Sequence, residues 1–155
     1  MSYSLLFVCT GNTCRSPMAA ALARRILADR GHRDVTVASA GTSAQPGAPV
    51  SEEVPRVLEE IGVDLGDHAA AELGPEAVAA ADLILVMSPW HREAVEAMGG
   101  GEKVALVTEF LEGEERGRPV TDPIGGGLEV YRRTRDQLGR AVEAVVVRLE
   151  SASVL

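Results

Sequence analysis

The sequence predicts an α/β fold: a single three-layer domain over residues 1–155, with a four-stranded parallel sheet and about five helices on its two faces. Three observations predict it. The chain has 155 residues, 46% of them hydrophobic and 25% charged, which suits one domain with a sizeable core. It contains four short apolar-rich runs, of which Leu5-Leu6-Phe7-Val8 is continuous, as expected of a strand buried on both faces. A helical stretch lies between successive runs, so the strands cannot pair as hairpins. They pair in parallel through right-handed crossovers that place helices on both sides.

The first run, Leu5-Leu6-Phe7-Val8, is a strand. Ser16-Pro17 reads as an N-cap with proline at the first helical position. Met18 to Ala28, rich in Ala, Leu and Arg, continues that helix. Val35-Thr36-Val37-Ala38 is the second strand, and Gly41 to Pro49 is a loop. Ser51 caps a helix whose Val54, Val57, Leu58 and Ile61 fall at i, i+3, i+4 and i+7. Gly74-Pro75 opens a short helix before the central strand, Leu83-Ile84-Leu85-Val86-Met87. Ser88-Pro89 starts the next helix, and Gly99-Gly100-Gly101 ends it. Val104 to Val107 is the fourth strand. A last helix carries Leu138, Val142, Val145 and Leu149 on one stripe. From Glu112 to Gly127 runs a long polar, Gly-rich loop containing Asp122-Pro123. Loops of that length in small domains are commonly functional.

Composition narrows the function. With 15 Lys and Arg against 23 Asp and Glu, the net charge is -8. A surface this acidic repels phosphate backbones, which argues against nucleic-acid binding. No apolar run approaches the roughly 20 residues that span a bilayer. The N-terminus lacks the pattern of a secretory signal. Two cysteines, Cys9 and Cys14, are too few for a disulfide framework or a zinc site. No cluster of His, Cys and carboxylates has metal spacing. A cytoplasmic enzyme or binding protein that needs no membrane, metal or cofactor is the expectation.

The chemistry is concentrated after the first strand. In open α/β sheets ligands sit at the carboxyl ends of the strands. There the chain reads Cys9-Thr10-Gly11-Asn12-Thr13-Cys14-Arg15-Ser16 and enters a helix. Backbone N–H groups of such a loop, with the helix dipole behind them, form an anion cradle. The same field favours a thiolate at Cys9. Gly11 permits a tight turn or close approach. Arg15 supplies a planar fork that matches phosphate oxygens. Ser16 can donate to the thiolate. Nucleophile, oxyanion donors and guanidinium thus lie in eight residues, a plan for covalent phosphoryl transfer to sulfur. Neither G-x-x-x-x-G-K-[ST] nor G-x-G-x-x-G is present, so nucleotide binding has no anchor.

Val8-Cys9-Thr10-Gly11-Asn12-Thr13-Cys14-Arg15-Ser16-Pro17 resembles the signature of the low-molecular-weight protein tyrosine phosphatase family. Gly-Asn-Thr-Cys-Arg-Ser-Pro is most similar to its bacterial protein arginine phosphatase branch. Ser39-Ala40-Gly41-Thr42, Ala81 to Met87, and Asp122-Pro123 followed by Tyr131 to Asp136 also match the family pattern. The resemblance implies that Cys9 attacks phosphorus, Asp122 protonates the leaving atom, and water then releases phosphate from the cysteinyl-phosphate. Arg15 and the loop from Thr10 through Asn12, Thr13 and Cys14 to Ser16 bind the phosphoryl oxygens. Substrates would be phosphorylated proteins, with inorganic phosphate as product and inhibitor.

Further expectations follow from that resemblance. Asn12 tolerates a left-handed conformation, and in the family side-chain hydrogen bonds pin it. His68 matches the histidine of that role, with Ser39 or Ser43 as a second partner. Trp90-His91, at the end of the central strand, either walls the cleft or covers the core edge. Cys9 and Cys14 share one loop and are expected to form a reversible disulfide under peroxide. Tyrosine-specific members usually carry an apolar branched residue where this chain has Thr13, and aromatics where Ile124 and three glycines follow Asp122-Pro123. Both departures favour phosphoarginine over phosphotyrosine. An arsenate reductase of the same fold would need further cysteines downstream of Cys14. A phosphate-binding module would need neither nucleophile nor proton donor.

Overall fold

Strand β1 (Tyr3–Cys9) is the centre of the molecule because Leu5 to Cys9 are apolar on both faces and all are buried. A strand sends alternate side chains to opposite faces. Leu5, Phe7 and Cys9 enter one hydrophobic core, while Leu6 and Val8 enter the other. The computed structural model describes residues 2–155. Its elements continue with α1 (Arg15–Asp29), β2 (Val35–Gly41), α2 (Glu53–Glu59), α3 (Pro75–Ala80), β3 (Leu83–Val86), α4 (Pro89–Ala97), β4 (Val104–Leu106) and α5 (Leu128–Ser151). The sheet order is β2-β1-β3-β4 and every pairing is parallel. Met18, Val54, Val57, Leu58, Leu138, Val142, Val145 and Leu149 place α1, α2 and α5 in the larger core. Val78 and Val95 place α3 and α4 in the smaller core on the other face. This is the three-layer α/β arrangement the sequence predicts.

Local differences have identifiable causes. Helix α1 starts at Arg15, one residue before the expected Ser16 cap, and Ser16 turns its hydroxyl on Cys9 instead. Ser51 gives its hydroxyl to Cys14 rather than to the first turn of α2. Helix α2 stops at Glu59 because Gly62 turns the chain at φ 73°, so Ile61 leaves the apolar stripe and is 45% exposed. Strand β4 ends at Leu106, and Val107–Phe110 forms a 3-10 turn. The polar loop contains a second such turn at Gly113–Glu115.

The register sets the site. Cys9 lies opposite Gly41, and Val8 lies opposite Val86. The carboxyl ends of β1, β2 and β3 therefore share one sheet edge, where the loop from β1 to α1 emerges.

Candidate active site

Residues Thr10 to Cys14 curl back between the end of β1 and the start of α1. Asn12 makes the sharpest bend, at φ 57°, the left-handed region that asparagine enters more readily than other side-chain-bearing residues. Its side chain fixes the bend. Nδ2 donates to Ser16 Oγ at 2.8 Å and to Ser39 Oγ at 2.9 Å, and Oδ1 accepts the Ala71 N–H at 2.9 Å. His68 Nε2 donates to the Asn12 carbonyl at 2.8 Å. Of the two serines considered from sequence, Ser39 reaches the Asn12 side chain, while Ser43 contributes its backbone N–H to the Thr10 carbonyl at 2.9 Å. Gly41 is required by proximity: a Cβ there would lie 2.9 Å from the Asn12 nitrogen and clash with the Thr10 carbonyl.

Within this frame Cys9 Sγ lies 2.9 Å from Ser16 Oγ. Ser16 Oγ already accepts from Asn12, so its single proton is free to donate. The Ala40 carbonyl is at 3.5 Å, leaving the sulfur as the short acceptor. Arg15 is 4% exposed, and its Nη1 donates to the Val120 carbonyl at 3.0 Å. The guanidinium is thereby tied to the 112–127 loop. Its Nη2 lies 3.7 Å from Asp122 Oδ2, and Asp122 Oδ1 accepts the Ile124 N–H at 3.2 Å. Cys9, Thr10, Gly11, Thr13, Cys14, Arg15, Asp122 and Ile124 line one cleft of about 120 Å³. Two stretches more than 100 residues apart in sequence thus meet across a space the size of a small anion. Asn12, Ser16 and His68 support the loop from behind.

The contacts of His91 and Cys14 go beyond what the sequence assigned. His91, on the first turn of α4, is fully buried, with Nε2 at 2.9 Å from Thr10 Oγ1 and Nδ1 at 2.7 Å from Ser88 Oγ. Burial, and secondarily the Arg15 charge, pushes His91 down to about 4, while Asp122 opposes that shift. The ring is therefore neutral at pH 7. Trp90 stands apart from it, 59% exposed, its ring tilted 58° to His91 at 5.7 Å. Cys14 Sγ is 2.9 Å from Ser51 Oγ and 3.6 Å from Tyr131 OH. Burial and the bond to Cys14 push the Tyr131 phenol up to about 12. Both cysteines are free thiols. A Ser-x-x-His pair starting a helix at a strand's carboxyl end was the available signal for Ser88 and His91. Nothing in the sequence marks Tyr131 or Ser51 as neighbours of Cys14.

Comparison with known proteins gives a consistent picture. A protein-arginine-phosphatase from Bacillus subtilis is 36% identical over 148 residues, which cover 94% of this chain and 96% of that protein. A solved YwlE arginine phosphatase mutant with a phosphorylated active-site serine superposes with a TM-score of 0.85 at 35% identity, covering 95% of each chain. The tyrosine phosphatase Wzb from Escherichia coli K30, solved with sulphate, superposes with a TM-score of 0.85 at 28% identity, covering 96% of this chain and 99% of Wzb. Residues 4–154 match the low molecular weight phosphotyrosine protein phosphatase family, and with the Cys9 loop and four-stranded parallel sheet in place, the chain belongs to that family.

Proposed function

We propose that this chain is a cysteine-dependent protein phosphatase that prefers phosphoarginine. The observation that carries the reading is the cleft itself, where Thr13, Asp122 and Arg15 surround Cys9 in a space fitted to one phosphoryl group. In the first step Cys9 sulfur forms a bond to phosphorus as the P–N bond breaks in line. Asp122 gives its proton to the departing guanidine nitrogen. In the second step water attacks phosphorus, Asp122 takes the water proton, and the P–S bond breaks. Arg15 and the loop amides hold the equatorial oxygens as charge spreads over them. Ser16 stabilises the leaving thiolate through its hydroxyl. The phosphorylated serine in the YwlE mutant supports phosphoryl transfer to this loop position in a relative.

The substrate preference follows from what faces the leaving group. Thr13 lines the cleft with a hydroxyl-bearing side chain in place of an apolar branch. Ile124, 61% exposed, is the only apolar side chain beyond Asp122-Pro123 before three glycines. An aromatic ring therefore finds little surface, at about 25 cal/mol per Å² of apolar contact. A guanidino leaving group finds the Asp122 carboxyl, which hydrogen-bonds it and supplies its proton. Inorganic phosphate, the product, occupies the same cradle and inhibits. The thiolate chemistry suits the reducing cytoplasm, and no nucleic acid, metal or cofactor enters this scheme.

The test is kcat/KM on matched phosphoarginine and phosphotyrosine peptides. Wild type is expected to prefer phosphoarginine, and Thr13→Ile to move the ratio toward phosphotyrosine by about tenfold or more. Cys9→Ser is expected to abolish turnover. Retained turnover in Cys9→Ser would overturn the covalent mechanism. A wild-type preference for phosphotyrosine, unmoved by Thr13→Ile, would overturn the arginine assignment alone.

A further inference from the structure

We propose that the Thr10 hydroxyl is a side-chain hydrogen-bond donor to the bound phosphoryl group, set in that role by a buried relay from Ser88 through His91. The proposal rests on reading the Cys9 cleft as a phosphoryl site. The relay runs from Ser88 Oγ to His91 Nδ1 at 2.7 Å, then from His91 Nε2 to Thr10 Oγ1 at 2.9 Å. Arg15 Nη2 donates to the same Thr10 oxygen at 3.4 Å. Ser88 and His91 are fully buried, and Thr10 lines the cleft beside Cys9.

Proton accounting fixes the direction. The neutral ring has one donor and one acceptor nitrogen. If Nδ1 carried the proton, Ser88 Oγ would accept it, and the Ser88 hydroxyl proton would be buried with no other partner among the described residues. Buried donors left unpaired are strongly disfavoured. If Nε2 carries the proton, Ser88 donates to Nδ1 and Nε2–H donates to Thr10, leaving no buried donor unpaired. Thr10 Oγ1 then accepts from His91 and from Arg15, which uses both lone pairs. Among the described residues its own proton has no remaining partner and is left for whatever fills the cleft. The relay thereby makes Thr10 an obligate donor on the side where phosphoryl oxygens gather charge.

Ser88 shows that this arrangement displaced an ordinary one. It is the N-cap residue of α4, with proline at the next position, yet its side chain makes no capping hydrogen bond. The hydroxyl that would normally satisfy the first turn is given to His91. Thr10 is thus a catalytic residue in this proposal, and His91 and Ser88 are positioning residues that act only through it.

Two measurements test the relay. Nitrogen-15 spectra of the wild-type His91 ring at about pH 7 are expected to show the Nε2–H tautomer. The Nδ1–H tautomer would overturn the proposal without any variant. In kinetics with p-nitrophenyl phosphate, Thr10→Val is expected to lower kcat/KM and weaken inhibition by inorganic phosphate, each about tenfold, the worth of one lost hydrogen bond to a charged group. His91→Leu should match it, and His91→Gln, whose amide can donate near the Nε2 position, should recover most of the loss. The double variant Thr10→Val with His91→Leu should be no worse than Thr10→Val alone. Additive losses, or a silent Thr10→Val, would overturn the relay. Absence of wild-type turnover would instead strike the phosphatase reading, with the ring tautomer and phosphate titration still deciding the relay.

Discussion

Around the Cys9 loop, Asn12, Ser16, Ser88 and His91 are fully buried, and each is tied to a neighbour by hydrogen bonds of 2.7–2.9 Å. Along α5 the opposite material is used. Glu60 joins Arg132 and the buried Arg135 at 2.7 and 2.8 Å, and Glu150 joins Arg30 and His32 at 2.6 and 2.7 Å, with both carboxylates open to water. The charged partners hold Glu60 and Glu150 down to about 2. An exposed ion pair can exchange its partner for water at little cost. A buried neutral group cannot, and removing one partner strands the other. Geometry that must hold to a fraction of an ångström sits on the buried network, while the exposed network joins helix ends that tolerate movement.

The largest effect expected from this contrast is at Asn12. Asn12→Ala removes two donated bonds, strands the Ala71 N–H, and puts a Cβ-bearing residue without a polar side chain at φ 57°. A loss of about 2–4 kcal/mol in urea unfolding is expected, with activity falling further because Cys9 and Arg15 lose their mutual placement. Asn12→Gly relieves the backbone cost but not the lost bonds, and should recover about 1 kcal/mol. Equal losses in the two variants would show that the side-chain bonds, and not the backbone bend, carry the whole effect.

The sequence made the two ends of this contrast unequally visible. The four strands were legible because apolar runs such as Leu5 to Val8 and Leu83 to Met87 leave no amphipathic alternative. The Cys9 loop was legible because its cysteine, arginine and serine lie within eight contiguous residues. Asn12 could be placed in a left-handed bend from its chemistry alone. His91, Ser51 and Tyr131 could not be assigned, because their partners Thr10 and Cys14 lie 81, 37 and 117 residues away. Only the crossover connections bring them together. The serines misread as caps have a shared cause: Ser16 and Ser51 sit at helix starts but find a cysteine sulfur within reach.

His91 sharpens the contrast through pH. Its folded pKa, about 4, lies below the ordinary 6.5. Between these values the unfolded chain binds a proton that the folded chain refuses. Stability from this group is therefore complete above about pH 6.5 and declines as pH falls toward 4, by roughly 3 kcal/mol at most. His91→Gln has no such titration. The difference between wild type and variant should narrow steadily from pH 6.5 to 4 in urea midpoints. A difference that stays constant with pH would mean the ring is not held neutral by its burial.

The smallest effect belongs to Glu60. Glu60→Gln removes the charge that Arg132 and Arg135 share. Arg135 keeps a second tether, because its Nη1 also donates to the Val57 carbonyl at 2.8 Å. Arg132 is left to solvent. A fall in Tm of no more than about 2 °C is expected. The sign with pH is opposite in cause to that of His91, since the favoured form of Glu60 is the charged one. Its folded pKa of about 2 lies below the ordinary 4.5, so its contribution is present above 4.5 and is lost as pH falls through 2. Wild type and Glu60→Gln should therefore converge in acid. They should converge at neutral pH too when salt is raised to about 1 M, where the screening length is near 3 Å. Neither condition should rescue Asn12→Ala, whose lost bonds carry no net charge. A Glu60→Gln loss larger than that of Asn12→Gly would erase the distinction between the two networks.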